Sequence, residues 1–121
     1  MEENAEEAKA KKDFIVREEK IVEEIVKPYV IKGYIPIVIG GGHNNAYGNI
    51  KGSALAHGKP VNAINFDAHS DFRILEGRHS GNGFRYAKSE NYLHKYGIGK
   101  KSQRGRNGIF TYQSSIRLSY L

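Results

Sequence analysis

Cysteine is absent from all 121 residues. That excludes a disulfide-stapled scaffold, a thiolate nucleophile and any zinc site built on sulfur. Tryptophan is absent too, and proline occurs only three times. No apolar run is long. The longest lies within residues 34–39, far short of the ~20 residues that span a bilayer. Residues 1–12 are charged and contain no apolar h-region, so no secretory signal is expected. With 39% apolar residues, what remains is a cytoplasmic chain of one domain with a modest core.

Acidic residues are scarce where basic ones collect. The formal charge is +6, but residues 1–33 carry −2, residues 34–71 are neutral and residues 72–121 carry +8. A basic half can mark a nucleic-acid surface, because neutralised phosphates release counterions. No nucleic-acid-binding motif accompanies this charge. Tyr92, Tyr96, Tyr112 and Tyr120 are scattered as half-buried packing residues are, so nucleic acid is not expected as a partner.

Residues 1–13 are rich in Glu, Lys and Ala, with helical propensity but no apolar stripe, which reads as a charged lead, either frayed or a solvent-facing helix. Ile15, Ile21, Val22, Ile25, Val26, Tyr29 and Val30 then recur at helical spacing, predicting an amphipathic helix near 14–32. Pro28 should kink or split it, and Gly33 should end it. Residues 34–39 are apolar on both faces and predict a buried parallel strand. Asn44 or Asn45 can cap a helix over 45–57, weakened by Gly48 and Gly52. Residues 61–66 predict a second strand, parallel to the first, so the core is a βαβ unit of an α/β fold. A weaker helix is expected over 84–96. Beyond residue 97 the sequence is basic and aperiodic, a poorly packed tail until the strand-like Ile116, Leu118, Tyr120 and Leu121.

The chemistry sits at the strand ends. Asp67-Ala68-His69-Ser70-Asp71 follows the second strand, and in extended backbone Asp67, His69 and Asp71 project to one face. His43 follows the first strand behind three glycines. If those strands are parallel neighbours, His43, Asp67, His69 and Asp71 meet on one rim, where open α/β sheets place their ligands. Two imidazoles and two carboxylates without thiolate suit Mn²⁺ or a similar divalent ion. Asp67, flanked by the other donors, is suited to bridge two ions. His57, at the end of the second helix, is expected to have no metal role.

Three segments carry a resemblance. GGGHNNAYGNIKG (residues 40–52), NFDAHSDFR (65–73) and GRHSGNGFRYA (77–87) resemble the arginase/ureohydrolase family, closest to its formimidoylglutamase-like branch, over about residues 14–96. The resemblance implies a three-layer α/β fold, two Mn²⁺ ions and a small-molecule amidine or guanidine substrate. It also implies homo-oligomers, leaving this chain's own assembly open. It assigns His43, Asp67 and Asp71 to one manganese, His69 to the second, and Asp67 to both. It gives His79 the catalytic role of proton relay, while water activated between the ions attacks the substrate carbon. The leaving amine needs a proton, which a histidine can supply. Arg73 and Asn82 are candidate substrate contacts in the same loop, with Arg78 and Arg85 nearby.

The chain departs from the family pattern after Asp71. The family carries a second D-x-D on a later strand, whereas here no aspartate follows Asp71 and the carboxylates are Glu76 and Glu90. One ion would have His43, Asp67 and Asp71. The other would have His69 and a shared Asp67. The expectation is therefore an incomplete ureohydrolase fragment that holds one Mn²⁺ and does not turn over. The alternative is a non-catalytic remnant or single-metal binding module with a basic tail.

Overall fold

The computed structural model describes residues 4–67 and 69–99. They form helix α1 (Ala5–Ile31), α2 (Asn45–His57), strand β1 (Val61–Phe66), α3 (Gly83–Ser89) and β2 (Leu93–Gly99). The basic stretch after residue 99 and the strand-like end near Ile116 lie outside the described residues. Among the described residues, no helix is long and apolar enough to cross a membrane.

Helix α1 begins earlier than its apolar stripe. The Asn4 side chain accepts the Glu7 N–H at 2.8 Å, and Glu6 and Glu7 occupy the first turn, where the helix dipole favours negative charge. From Ala5 onward, the lead expected over 1–13 is thus helical. Pro28 does not split the helix, because α1 continues to Ile31. Pro28 falls in the last turn, where its missing N–H deprives only the Glu24 carbonyl of a partner. Gly33 does end the helix at φ +86°, its N–H bonding to Val30 O at 3.0 Å.

The glycines of α2 serve packing against α1. A Cβ on Gly48 would overlap the Glu19 carbonyl, and one on Gly52 would lie 3.0 Å from the Glu23 carbonyl and 3.2 Å from Val26 Cβ. Their absence lets the two helices meet backbone to backbone. Lys51 pairs with Glu23 at 3.0 Å across this contact, and Asn45 donates to Glu18 at 2.7 Å. Among the described residues, only one edge of the α1 stripe is covered: Val26 is buried, whereas Ile21, Ile25 and Tyr29 are exposed.

A parallel βαβ core is present, one element later than its sequence expectation. β1 pairs in parallel with β2, with α3 as the crossover. The strand expected over 34–39 is not formed, and Ile35, Ile37 and Ile39 stand 90%, 82% and 91% exposed. A ladder requires a neighbour about 4.8 Å away; among the described residues β1 is bonded to β2, and no strand pairs with 34–39. The helix expected over 84–96 stops at Ser89, and β2 runs on through Gly99, across the boundary expected at residue 97. Tyr47, Ile50, Phe84, Ala87, Leu93 and Tyr96 form the buried core between α2, α3 and β2.

Candidate metal centre

Two chain reversals bring the donors together. Gly40 and Gly41, at φ +84° and +78°, turn the chain so that His43 stands immediately before α2. Asp67 follows the last residue of β1, and Asp71 closes the next bend in the left-handed region at φ +48°. That conformation is uncommon for a residue other than glycine, although aspartate tolerates it better than most. The ligand atoms of His43, Asp67 and Asp71 all lie within 4.8 Å of one another. His43 Nδ1 contacts Asp71 Oδ2 directly and stands 3.9 Å from Asp67 Oδ2. The His43 ring is steadied edge-on against Phe84, with centroids 5.4 Å apart.

His69 does not join this trio. The alternation expected of extended backbone fails because β1 ends at Phe66 and the following segment folds back. The His69 N–H bonds to Asp67 Oδ1 at 3.1 Å, and its exposed ring lies 3.6 Å from the same oxygen. Asp67 therefore faces His43 with one carboxylate oxygen and His69 with the other.

Two residues that the sequence reading passed over hold this bend. Asn65 donates to His69 O at 3.2 Å and to the Tyr96 hydroxyl at 3.1 Å. The Tyr96 hydroxyl in turn donates to Ser70 O. Burial, with Asp71 and Asp67 nearby, pushes the Tyr96 phenol up to about 12, so it remains a hydrogen-bond donor at neutral pH. The available signal was Asn65 itself, an amide next to the end of a strand whose other polar residue is Asn62.

His79 sits in the loop between Asp71 and α3. Its Nδ1 accepts the Gly81 N–H at 3.0 Å, which leaves the proton on Nε2, 2.9 Å from Glu76 Oε1. Arg73, expected against a substrate, instead pairs with that same oxygen at 3.0 Å. Asn82, also expected against a substrate, is completely buried. It donates to Ile74 O at 3.1 Å and Gly77 O at 2.9 Å, and accepts the His79 N–H at 3.1 Å. Its amide is used up in shaping the loop.

The donor set fits a divalent ion. Ligand atoms about 2.1 Å from an octahedral ion stand about 3 to 4.2 Å apart; His43 and Asp67 meet that spacing at 3.9 Å, whereas His43 and Asp71 touch directly. Two carboxylates converging on one imidazole repel each other unless a cation or proton lies between them. A cavity of about 480 Å³ opens beside the trio, lined by Gly40, Gly41, Gly42, Asn49 and Phe66 together with His43 and Asp67. That volume is in the range of small-molecule sites. His57 is exposed at the far end of α2.

A sequence model of the arginase family matches residues 5–111, a span that includes the three motif segments and extends past them at both ends. The formimidoylglutamase of Chromobacterium violaceum is 44% identical over 62 residues, half of this chain and 20% of its own length. That of Streptococcus gordonii is 45% identical over 64 residues, again covering 50% of this chain and 20% of the relative. The chain thus spans about a fifth of the length of these relatives. The crystal structure of formimidoylglutamase from Bacillus subtilis superposes with a TM-score of 0.62 at 23% identity, over 76% of this chain and 30% of that one.

Proposed function

The chain belongs to the arginase family, and on that premise we propose that it carries part of the active site of a manganese-dependent hydrolase of linear amidines or guanidines. The convergence of His43, Asp67 and Asp71 beside a cavity carries the proposal. These three residues would hold one ion. His69, on the far oxygen of Asp67, would contribute to a second. A divalent ion at such a site supplies water acidic enough to attack a carbon near neutral pH.

The remaining roles fall to the chain's own side chains. Asp67 and Asp71 supply the negative charge that an incoming cation requires. Asn65 and Tyr96 fix the bend that aims both carboxylates. His79 holds its Nε2 proton against Glu76; once it has taken up a second proton, the imidazolium would be the donor for a departing amine and would return to the neutral ring. Formimidoylglutamate is the favoured substrate, because segments 44% and 45% identical to this chain occur in formimidoylglutamases.

The ligand count limits what the 121-residue chain does alone. Two carboxylates would face four positive charges, and two divalent ions a few ångströms apart repel strongly. We therefore expect weak binding of a single Mn²⁺ and no turnover. Calorimetric titration with Mn²⁺, and assays on formimidoylglutamate, arginine and agmatine beside an Asp67→Ala control, test this. Two manganese per chain with turnover above the control would overturn the ligand count. No difference in Mn²⁺ binding between the chain and Asp67→Ala would overturn the site.

A further inference from the structure

A second group of charged residues lies away from the trio, and it grips the loop that carries His79. Glu19 of α1 is 2% exposed and Arg78, the residue immediately before His79, is 14% exposed. Their closest atoms, Arg78 Nη2 and Glu19 Oε2, are 3.4 Å apart. Neither Glu19 oxygen has a hydrogen-bond partner, nor does Arg78 Nη1. The ion pair is thus a loose one. The better-fitted contact of Arg78 is aromatic: its guanidinium carbon lies 3.4 Å from the Tyr47 ring centroid and 4.5 Å from that of Tyr86. Both rings are themselves fixed. The Tyr47 hydroxyl donates to Glu90, and the Tyr86 hydroxyl accepts the Gly77 N–H at 2.9 Å.

We propose that Arg78 is the positioning residue of the His79 loop, seated on the rings of Tyr47 and Tyr86 with Glu19 as its counter-charge. Among the described residues, the other side-chain ties of His79 itself are internal to the loop, and one backbone bond, from the Gly77 N–H to the Tyr86 hydroxyl, also reaches α3. Glu76, Gly81 and Asn82 bond to it, and Asn82 bonds back to Ile74 and Gly77. Those bonds give the loop its shape but not its location. Arg78 ties the loop to three helices at once, because Tyr47 belongs to α2, Tyr86 to α3 and Glu19 to α1. A planar guanidinium stacks on aromatic faces in a way that an ammonium does not. The residue that orients the proposed proton donor is therefore its own chain neighbour, buried in the helical layer. This rests on the role proposed for His79 above.

The test reads position rather than chemistry, so its failure is distinct from a failure of the metal or proton-relay reading. In the full chain, the ¹⁵N spectrum of the His79 ring should show one tautomer with the proton on Nε2. In the double variant Glu19→Gln with Arg78→Met no buried charge is left without its partner, which favours folding. There the ring signals should become averaged, and amides 77–81 should exchange at least tenfold faster. Amides of β1 and β2 should stay within twofold of the parent chain. Glu19→Gln alone should keep the single tautomer, since the rings still seat Arg78. An unchanged ring spectrum in the double variant would overturn the proposal. So would equal loss of protection in the strands, which marks a merely structural role, or loss of the tautomer in Glu19→Gln alone.

Discussion

Replacing Glu19 with glutamine should make the protein more stable at high pH and leave it nearly unchanged at low pH. Two effects compete at this position. Removing one partner of a buried ion pair commonly costs 3–5 kcal/mol, because the other charge is left uncompensated. Against this, burial pushes the Glu19 carboxyl up from 4.5 to about 7, with Glu90 and Glu18 adding to the rise and Arg78 and Lys51 opposing it. The rise persists with Arg78 in place, so desolvation is the larger effect. The 3.4 Å separation and the lack of any hydrogen bond to either carboxylate oxygen explain why.

The sign follows from linkage. A carboxyl whose folded-state pKa is raised favours the folded state while it carries its proton. That contribution is complete below about pH 4.5 and is lost as the pH climbs through about 7. Two and a half pH units at 1.36 kcal/mol each correspond to about 3 kcal/mol by pH 9. Glutamine has the same shape and nothing to ionise, so it escapes the loss. Urea unfolding of both chains between pH 4 and pH 9 gives the difference directly, and other titrating groups cancel in it. The two should agree near pH 4 and diverge by about 3 kcal/mol at pH 9, with glutamine ahead. A difference that is flat with pH, or a glutamine variant weaker at pH 9, would refute the reasoning.

Other substitutions test the packing and the site. Gly48→Ala places a methyl group against the Glu19 carbonyl; overpacking of 1–3 kcal/mol should exceed the ~1 kcal/mol gain in helix propensity, and thermal unfolding should show a net loss. His43→Ala should weaken Mn²⁺ binding at least tenfold by calorimetry, whereas His57→Ala, on an exposed residue at the end of α2, should leave it unchanged. Tyr96→Phe removes the hydroxyl that donates to Ser70 O and accepts from Asn65. It should lower Mn²⁺ affinity by about 10-fold while the fold persists, as loss of outer-shell support does at metal sites.

The parts of this molecule legible in its sequence are those whose information is local. The Gly33 stop, the helix over 45–57 and the strand over 61–66 depend on residues within a few positions, and each is present. The convergence of Asp67 and Asp71 was legible as a motif, although the reason offered for it was wrong: a bend held by Asn65 and Tyr96 brings them together, not the pleat. β2 shows how a regular rule misleads. Its two most buried residues, Leu93 and Tyr96, are three apart, which reads as helical spacing. The pairing explains this, because Val61 to Ala63 on β1 spans two residues while Leu93 to Tyr96 on β2 spans three. An extra residue at a register shift displaces the period of two, and a strand then mimics one turn of helix.

The strand expected at 34–39 failed for the opposite reason. A continuous apolar run states that a segment suits burial, but the neighbour that buries it lies elsewhere in sequence. Glu19 and Arg78 carry the same lesson into electrostatics. Nothing local distinguishes Glu19 from Glu18 or Glu24, yet Glu19 is buried and its partner lies in a loop beyond two further elements. The cause can be traced to Gly48 and Gly52, which in sequence only weaken a helix. By letting α2 approach the Glu19 and Glu23 carbonyls, they bring Tyr47 and its neighbours over this stretch of α1 and close it to water. A pair of glycines thus sets the pKa of a glutamate on another helix, and that glutamate faces the arginine proposed to aim His79.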